Sequence, residues 1–315
     1  MRLRVGGALA VAGVALLLVA LTPSHAYAWA PGTHAYLSWQ VLQSLQLLPE
    51  ALRTLLAAYP YDFIYGSLAA DISLAKKYVP EGRHCHHWHI GEEIEATAGN
   101  DRMKAVGIGY LTHLAADTIA HNFYVPRQLL LTSSTKGLGH SYWEARMDRH
   151  VGEEYMALAR HAVTEHDHSQ ADALFDEVLS GTLFSFRTNR RIFRGLIRFQ
   201  DNDRWQSIFG TLVTLSRWDL TDATVHEYVV RSFDYVIDYL QRREEAIPRA
   251  LDPIGERNLD LSKKVRRMAL RDGAAERPEL LAEMADEFFP LPDIPYGHLL
   301  SKQRKNGAAP PPPNS

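Results

Sequence analysis

The chain has 315 residues, 46% of them hydrophobic and 23% charged, with 34 basic against 37 acidic side chains and a formal net charge of −3. That balance provides no broad basic face for stable nucleic-acid binding, and the apolar content excludes a disordered or fibrous protein. A lone cysteine, Cys85, excludes an intramolecular disulfide, so stability must come from packing and from any bound metal.

The first element reads as a secretory signal over residues 1–28. Arg2 and Arg4 form a basic start, an apolar run follows from Val5 to Leu21, and Ala26-Tyr27-Ala28 supplies a small-x-small cleavage site. Export to the periplasm or the medium is expected, with Trp29 as the new N-terminus. Loss of Arg2 and Arg4 would leave 32 basic against 37 acidic residues.

From there the pattern is helical throughout, and the fold class expected is all-α. Helical spacing of apolar residues runs over about 34–48 and 49–58, with Pro49 in a first turn. A long apolar helix is expected from about Arg102 to Tyr124, ending before Pro126, and another from His140 through Leu158. Further helices are expected over about 169–179, 192–199, 205–215, 223–249, 258–270 and 274–288. Residues 59–81 and 126–139 read as long connections, and the proline-rich end as a low-complexity, disordered tail from 289 to 315. This divides the mature chain into a helical domain over 29–250, a helical extension over 251–288 and the tail. No phosphate-binding loop, nucleophile elbow or dinucleotide fingerprint is present.

Histidine is the unusual residue: seven of the 15 fall between positions 84 and 140. His113, Asp117 and His121 stand at i, i+4 and i+8 of the long apolar helix, within roughly 80° of one another at about 100° per residue, so they share one face. Two imidazoles and a carboxylate in so apolar a setting are a divalent-metal site, since burying them without a shared partner is costly. His140 and Glu144 repeat the i, i+4 spacing about 20 residues on, and facing helices build such sites jointly. If cleavage exposes Trp29, its amine and carbonyl can chelate a metal with His34, five residues on.

In this order and spacing the residues resemble the zinc-dependent phospholipase C and S1/P1 nuclease superfamily, more closely its bacterial phospholipase C branch. The resemblance runs from Trp29 to Glu144 and implies a multi-helix bundle holding three zinc ions. It implies that Trp29 and His34 bind one zinc and that Asp117 bridges it to a second, held also by Asp71, His113 and one histidine of the Arg83-His84-Cys85-His86-His87-Trp88-His89 string. His86 is preferred there, with His84 second, because His86-His87-Trp88 matches the His-aromatic-aromatic stretch of the relatives. Cys85 reads as a buried thiol, because family sites are all nitrogen and oxygen. His121, His140 and Glu144 would hold the third zinc. The chain departs from its relatives in placing His121 four residues after Asp117 rather than six, which requires the helix to continue through the site.

The activity implied is zinc-dependent hydrolysis of phospholipid phosphodiesters by metal-activated water, with Asp71 orienting or deprotonating that water. The partner expected is a phospholipid surface contacted transiently by a monomer. A single-strand nuclease of the S1/P1 type is the alternative within this chemistry, and a non-catalytic envelope zinc-binding protein the alternative outside it.

Overall fold

A computed structural model describes residues 29–72, 82–132, 137–179, 186–200, 202–214, 216, 218–274 and 277–303; the expected signal segment lies outside them. Among the described residues every regular element is helical. No helix among them is long and apolar enough to cross a membrane. The elements that build the site are α1 (Pro31–Leu42), α2 (Glu50–Ala58), α3 (Pro60–Ala69), α4 (Trp88–Thr97) and α5 (Asp101–Ile119), followed by a π turn (Ala120–Tyr124), α6 (Val125–Leu131) and α7 (Gly137–Val151). Around them lie α8 (Glu153–Thr164), α9 (Ser169–Val178), α10 (Phe186–Gln200), α11 (Asp203–Thr214), α12 (Asp222–Arg242), α13 (Glu256–Arg271), α14 (Pro278–Phe288) and α15 (His298–Gln303).

The axis of the molecule is α5. Asn100 caps it by accepting the Met103 N–H at 3.0 Å. From Ala105 onward every residue of the helix is buried, the signature of a helix packed on all sides rather than along one stripe. On one side α3 crosses it at backbone contact: a Cβ on Gly66 would lie 2.0 Å from the Val106 carbonyl oxygen, and one on Gly109 2.0 Å from that of Phe63. Only glycine permits that approach. It brings the Ser67 carbonyl onto α5 beside His113.

Several expectations are corrected. The connection expected over 59–81 contains α3, entered at Pro60, which needs no amide partner in a first turn. Residues 88–97 form α4 directly after the histidine string, where no helix was expected. The long helix does not stop before Pro126. It widens into the π turn and continues as α6, with Pro126 in its first turn. Pro126 cannot donate to the Asn122 carbonyl four residues back, and Asn258 Nδ2 donates to that oxygen instead, at 3.1 Å. The helix expected from 140 to 158 is broken at Gly152, whose φ of 120° ends α7 and starts α8.

Residues 251–288 are fastened to the helical domain. Leu130, Val265, Ala269, Ala274, Leu281, Ala285 and Phe289 form a second small core between α6, α13 and α14. Within the tail expected from 289, residues 289–303 are described. Phe289 and Leu299 are buried, and the Asp234 carboxylate accepts the amides of Tyr296, Gly297 and His298 at 3.0, 2.6 and 3.1 Å.

Candidate metal centre

The eight histidine and carboxylate side chains singled out above, His34, Asp71, His86, His113, Asp117, His121, His140 and Glu144, are all buried, and they come together from α1, the end of α3, the turn before α4, α5, the π turn and α7. Asp117 is central. Its Oδ2 lies 3.0 Å from His113 Nε2 and 3.1 Å from His86 Nε2, and its Oδ1 lies 3.3 Å from His34 Nε2. Asp71 Oδ1 is 3.3 Å from His86 Nε2 and 4.0 Å from His113 Nε2. The rings of His34 and His113 stack with centroids 3.8 Å apart.

The second group is made by the two i, i+4 elements. His140 Nε2 lies 2.8 Å from Glu144 Oε1, and the His121 and His140 rings are 5.4 Å apart. The donor atoms of His121, His140 and Glu144 fall within 4.8 Å of one another, as do those of His86, His113 and Asp117, and of His34, Asp71 and His113. The ring of His121 lies 6.4 Å from that of His86, so the two groups adjoin.

Hydrogen bonding on the far side of the rings fixes what the near side offers. His113 Nδ1 is 2.7 Å from the Ser67 carbonyl, and His121 Nδ1 is 2.5 Å from the Pro253 carbonyl. A carbonyl only accepts, so both Nδ1 atoms carry the proton and both neutral rings present a bare Nε2 lone pair to the cluster. Desolvation by burial lowers His113 and His121 to about 4, so both are neutral at pH 7. Burial opposes ionisation of Asp117, and only positive charge among His113, His34 and His86 outweighs it and holds the carboxyl well below the usual carboxylate range, a charge that a bound cation would supply where the rings are neutral. A lone pair 3.0 Å from a buried carboxylate oxygen is repulsive without a positive charge between them. Among the described residues, neither oxygen of Asp117, neither ring nitrogen of His34 and not Nε2 of His121 has a hydrogen-bond partner. The set is all nitrogen and oxygen, and it fits divalent zinc.

Of the histidine string, His86 is the one that faces Asp71 and Asp117. The His84 Nδ1 instead accepts the backbone N–H of His86 at 3.1 Å, and the buried thiol of Cys85 lies 3.3 Å from His86 Nδ1. Trp29 is wholly buried beside α5. Its indole Nε1 donates to the carbonyl of Ala116, next to Asp117, at 3.1 Å, and its ring lies 5.0 Å from that of Tyr124.

Two supports were not anticipated. Asp148 accepts the N–H groups of Gly32 and Thr33 at 2.9 and 2.7 Å and the Thr33 hydroxyl at 2.6 Å, clamping the N-terminus of α1 next to His34. A signal existed, because Asp148 continues the series His140, Glu144 on one face of α7. The other support is the stretch 252–258. Pro253 braces His121, the Asp252 carbonyl accepts from Asn122 Nδ2 at 2.8 Å, and a Cβ on Gly255, at φ 62°, would lie 2.5 Å from the backbone oxygen of His121. These contacts span about 130 residues of sequence, and no local pattern announces them.

Residues 33–187 match the family described as zinc dependent phospholipase C. No curated protein and no solved structure matches the chain.

Proposed function

The chain belongs to the zinc-dependent phospholipase C family, and from that premise we propose that it hydrolyses phospholipids at the phosphodiester bond on the glycerol side, releasing diacylglycerol and a phosphorylated headgroup. The observation that carries this reading is the convergence of five imidazole rings and three carboxylates in which Asp117 touches His34, His86 and His113. We assign three zinc ions to the cluster: one to His34 with the backbone of Trp29, one to Asp71, His86 and His113, with Asp117 shared between them, and one to His121, His140 and Glu144. Bound zinc would supply Lewis acidity, drawing charge from the phosphoryl oxygens and lowering the pKa of water within reach.

The residues of the chain have separable tasks. Asp71 is assigned the orientation of the attacking water and the acceptance of its proton, being the carboxylate at the edge of the Asp117 group. Ser67 and Pro253, through their carbonyls, hold His113 and His121 in the tautomer that leaves Nε2 bare. The apolar walls of α3 and α5 strengthen each electrostatic contact by excluding bulk water. Gly32 and Ile72 offer neither a carboxylate nor an aromatic ring where choline-specific relatives hold the headgroup, so a choline preference is not part of the proposal.

Export through residues 1–28 accompanies this reading, because processing before Trp29 would free the amine that the first site requires. The test is a paired assay of the zinc-loaded protein on phosphatidylethanolamine or phosphatidylcholine and on single-stranded DNA. Diacylglycerol release without DNA cleavage is expected. Cleavage of DNA alone would assign the protein to the nuclease chemistry, and turnover of neither would leave the zinc-binding alternative.

A further inference from the structure

Helix α10 begins where the family match ends, at residues 186 and 187 respectively. Its 15 residues, FRTNRRIFRGLIRFQ, hold five arginines and no acidic residue, in a chain whose net charge is −3. At about 100° per residue, Arg187, Arg191, Arg194 and Arg198 fall within roughly 60° of one another, a stripe about 16 Å long. Phe186, Phe193 and Ile197 are buried on a face about 110° round from the centre of the stripe, which anchors the helix in the fold and leaves the stripe outside.

Two arginines beside the buried face have local partners: Arg190 pairs with Asp172, and Arg194 donates to the Val163 carbonyl at 2.8 Å. Arg187, Arg191 and Arg198 are exposed and form no ion pair among the described residues. About 130° round the helix from the centre of the stripe, beyond Thr188 and Gly195, lies an apolar ledge. Ile192 is 39% exposed, Leu196 and Phe199 are half-buried, and the Phe199 ring lies 4.9 Å from that of Trp205 on α11. Exposed cations along one edge and partly exposed aliphatic and aromatic groups along the other edge of a helix's outer surface suit a helix that lies in a lipid interface, with the cations at headgroup level and the ledge toward the acyl boundary.

We infer that the Arg187, Arg191 and Arg198 edge of α10, with the Ile192 and Phe199 ledge along the other edge, docks the protein on an anionic phospholipid surface. This rests on the proposed phospholipid substrate, since a water-soluble enzyme whose substrate is assembled in a bilayer needs a face that holds it there. The apolar ledge is what favours lipid over a nucleic acid, which the arginines alone would serve equally.

The test compares the zinc-loaded full chain with its Arg187→Gln, Arg191→Gln, Arg198→Gln triple variant, all three changes being at exposed positions. Each is assayed for sedimentation with phosphatidylglycerol vesicles and with phosphatidylcholine vesicles, and for hydrolysis of a short-chain, monomeric phosphatidylethanolamine. The wild type should prefer the anionic vesicles, less so at high salt, and the triple variant should bind them about 100-fold more weakly. Hydrolysis of the monomeric lipid should be unchanged. Equal binding of both vesicle types by the wild type, or anionic binding by the variant as strong as the wild type's, would overturn the docking face. So would a loss of single-stranded oligonucleotide binding in the variant with vesicle binding intact. Failure of both forms to hydrolyse any lipid would sink the substrate reading, while the vesicle measurement decides the docking face separately.

Discussion

Asp117, His113 and His121 are held at neutral pH in the ionisation states a cation needs, and that has a cost that appears once the cation is removed. Unfolded histidine titrates near 6.5, while burial lowers His113 and His121 to about 4 in the fold. As the pH falls the unfolded chain therefore takes up protons first. The stability of the metal-free protein is full above about 6.5 and declines from there to about 4. At pH 5 the loss is about 2 kcal/mol for each histidine. Asp148 works the other way: desolvation pushes it up to about 6 despite its hydrogen bonds from Thr33 and Gly32, so acidification relieves part of the loss. Asp117 contributes only at lower pH, because its folded carboxyl lies below the ordinary range. Urea denaturation in chelator at pH 7 and pH 5 should show the lower midpoint at pH 5, and equal midpoints would show that the two imidazoles are not buried as described. Trp29 is tied to the site in a different way, through its backbone. If its amine is a ligand, a protein retaining one extra residue before Trp29 turns that amine into an amide and should fold normally while losing one zinc and most activity. N-terminal sequencing of the natural protein and zinc content of the extended form check this, and full zinc in the extended form would refute it.

Among the elements, α5 and α7 were legible in sequence because their ligands repeat at helical spacing and their apolar residues show the same period. The helices α3 and α4 were not, for a physical reason. Gly66 and Pro60 look like breakers in isolation, and only contact with Val106 shows that Gly66 is there to let two backbones meet. Likewise the histidine string before Trp88 resembles a binding loop and hides the helix that starts at its end. The π turn was invisible because Asn258, which takes up the carbonyl that Pro126 leaves open, lies more than 130 residues away. The same stretch, 252–258, also holds Gly255 against His121. Gly255→Ala forces a side chain into a left-handed backbone position and against His121, which should cost about 1–3 kcal/mol. It should also remove the zinc assigned to His121, His140 and Glu144 while leaving the Asp117 group loaded. Thermal unfolding and zinc content of the variant read both effects, and an unchanged zinc content would show that the 252–258 stretch does not brace the site.

For the molecule as a whole, the chain divides into a part that presents ligands and a part that holds them. Trp29 to Glu144 brings every proposed ligand, and its chemistry was legible because the residue types and their spacing are constrained together. The second half brings no ligand, yet Pro253, Asn258 and the small core around Leu130 press on the π turn from outside, and no motif marks them. Both halves thus serve one arrangement, proposed to be a zinc cluster organised around Asp117. Elemental analysis of the purified, zinc-loaded protein beside its Asp117→Ala variant tests it most directly. About three zincs per chain are expected in the wild type and loss of at least one in the variant, with its helical content kept. Fewer than about two zincs in the wild type, or an Asp117→Ala variant that keeps them all, would contradict it.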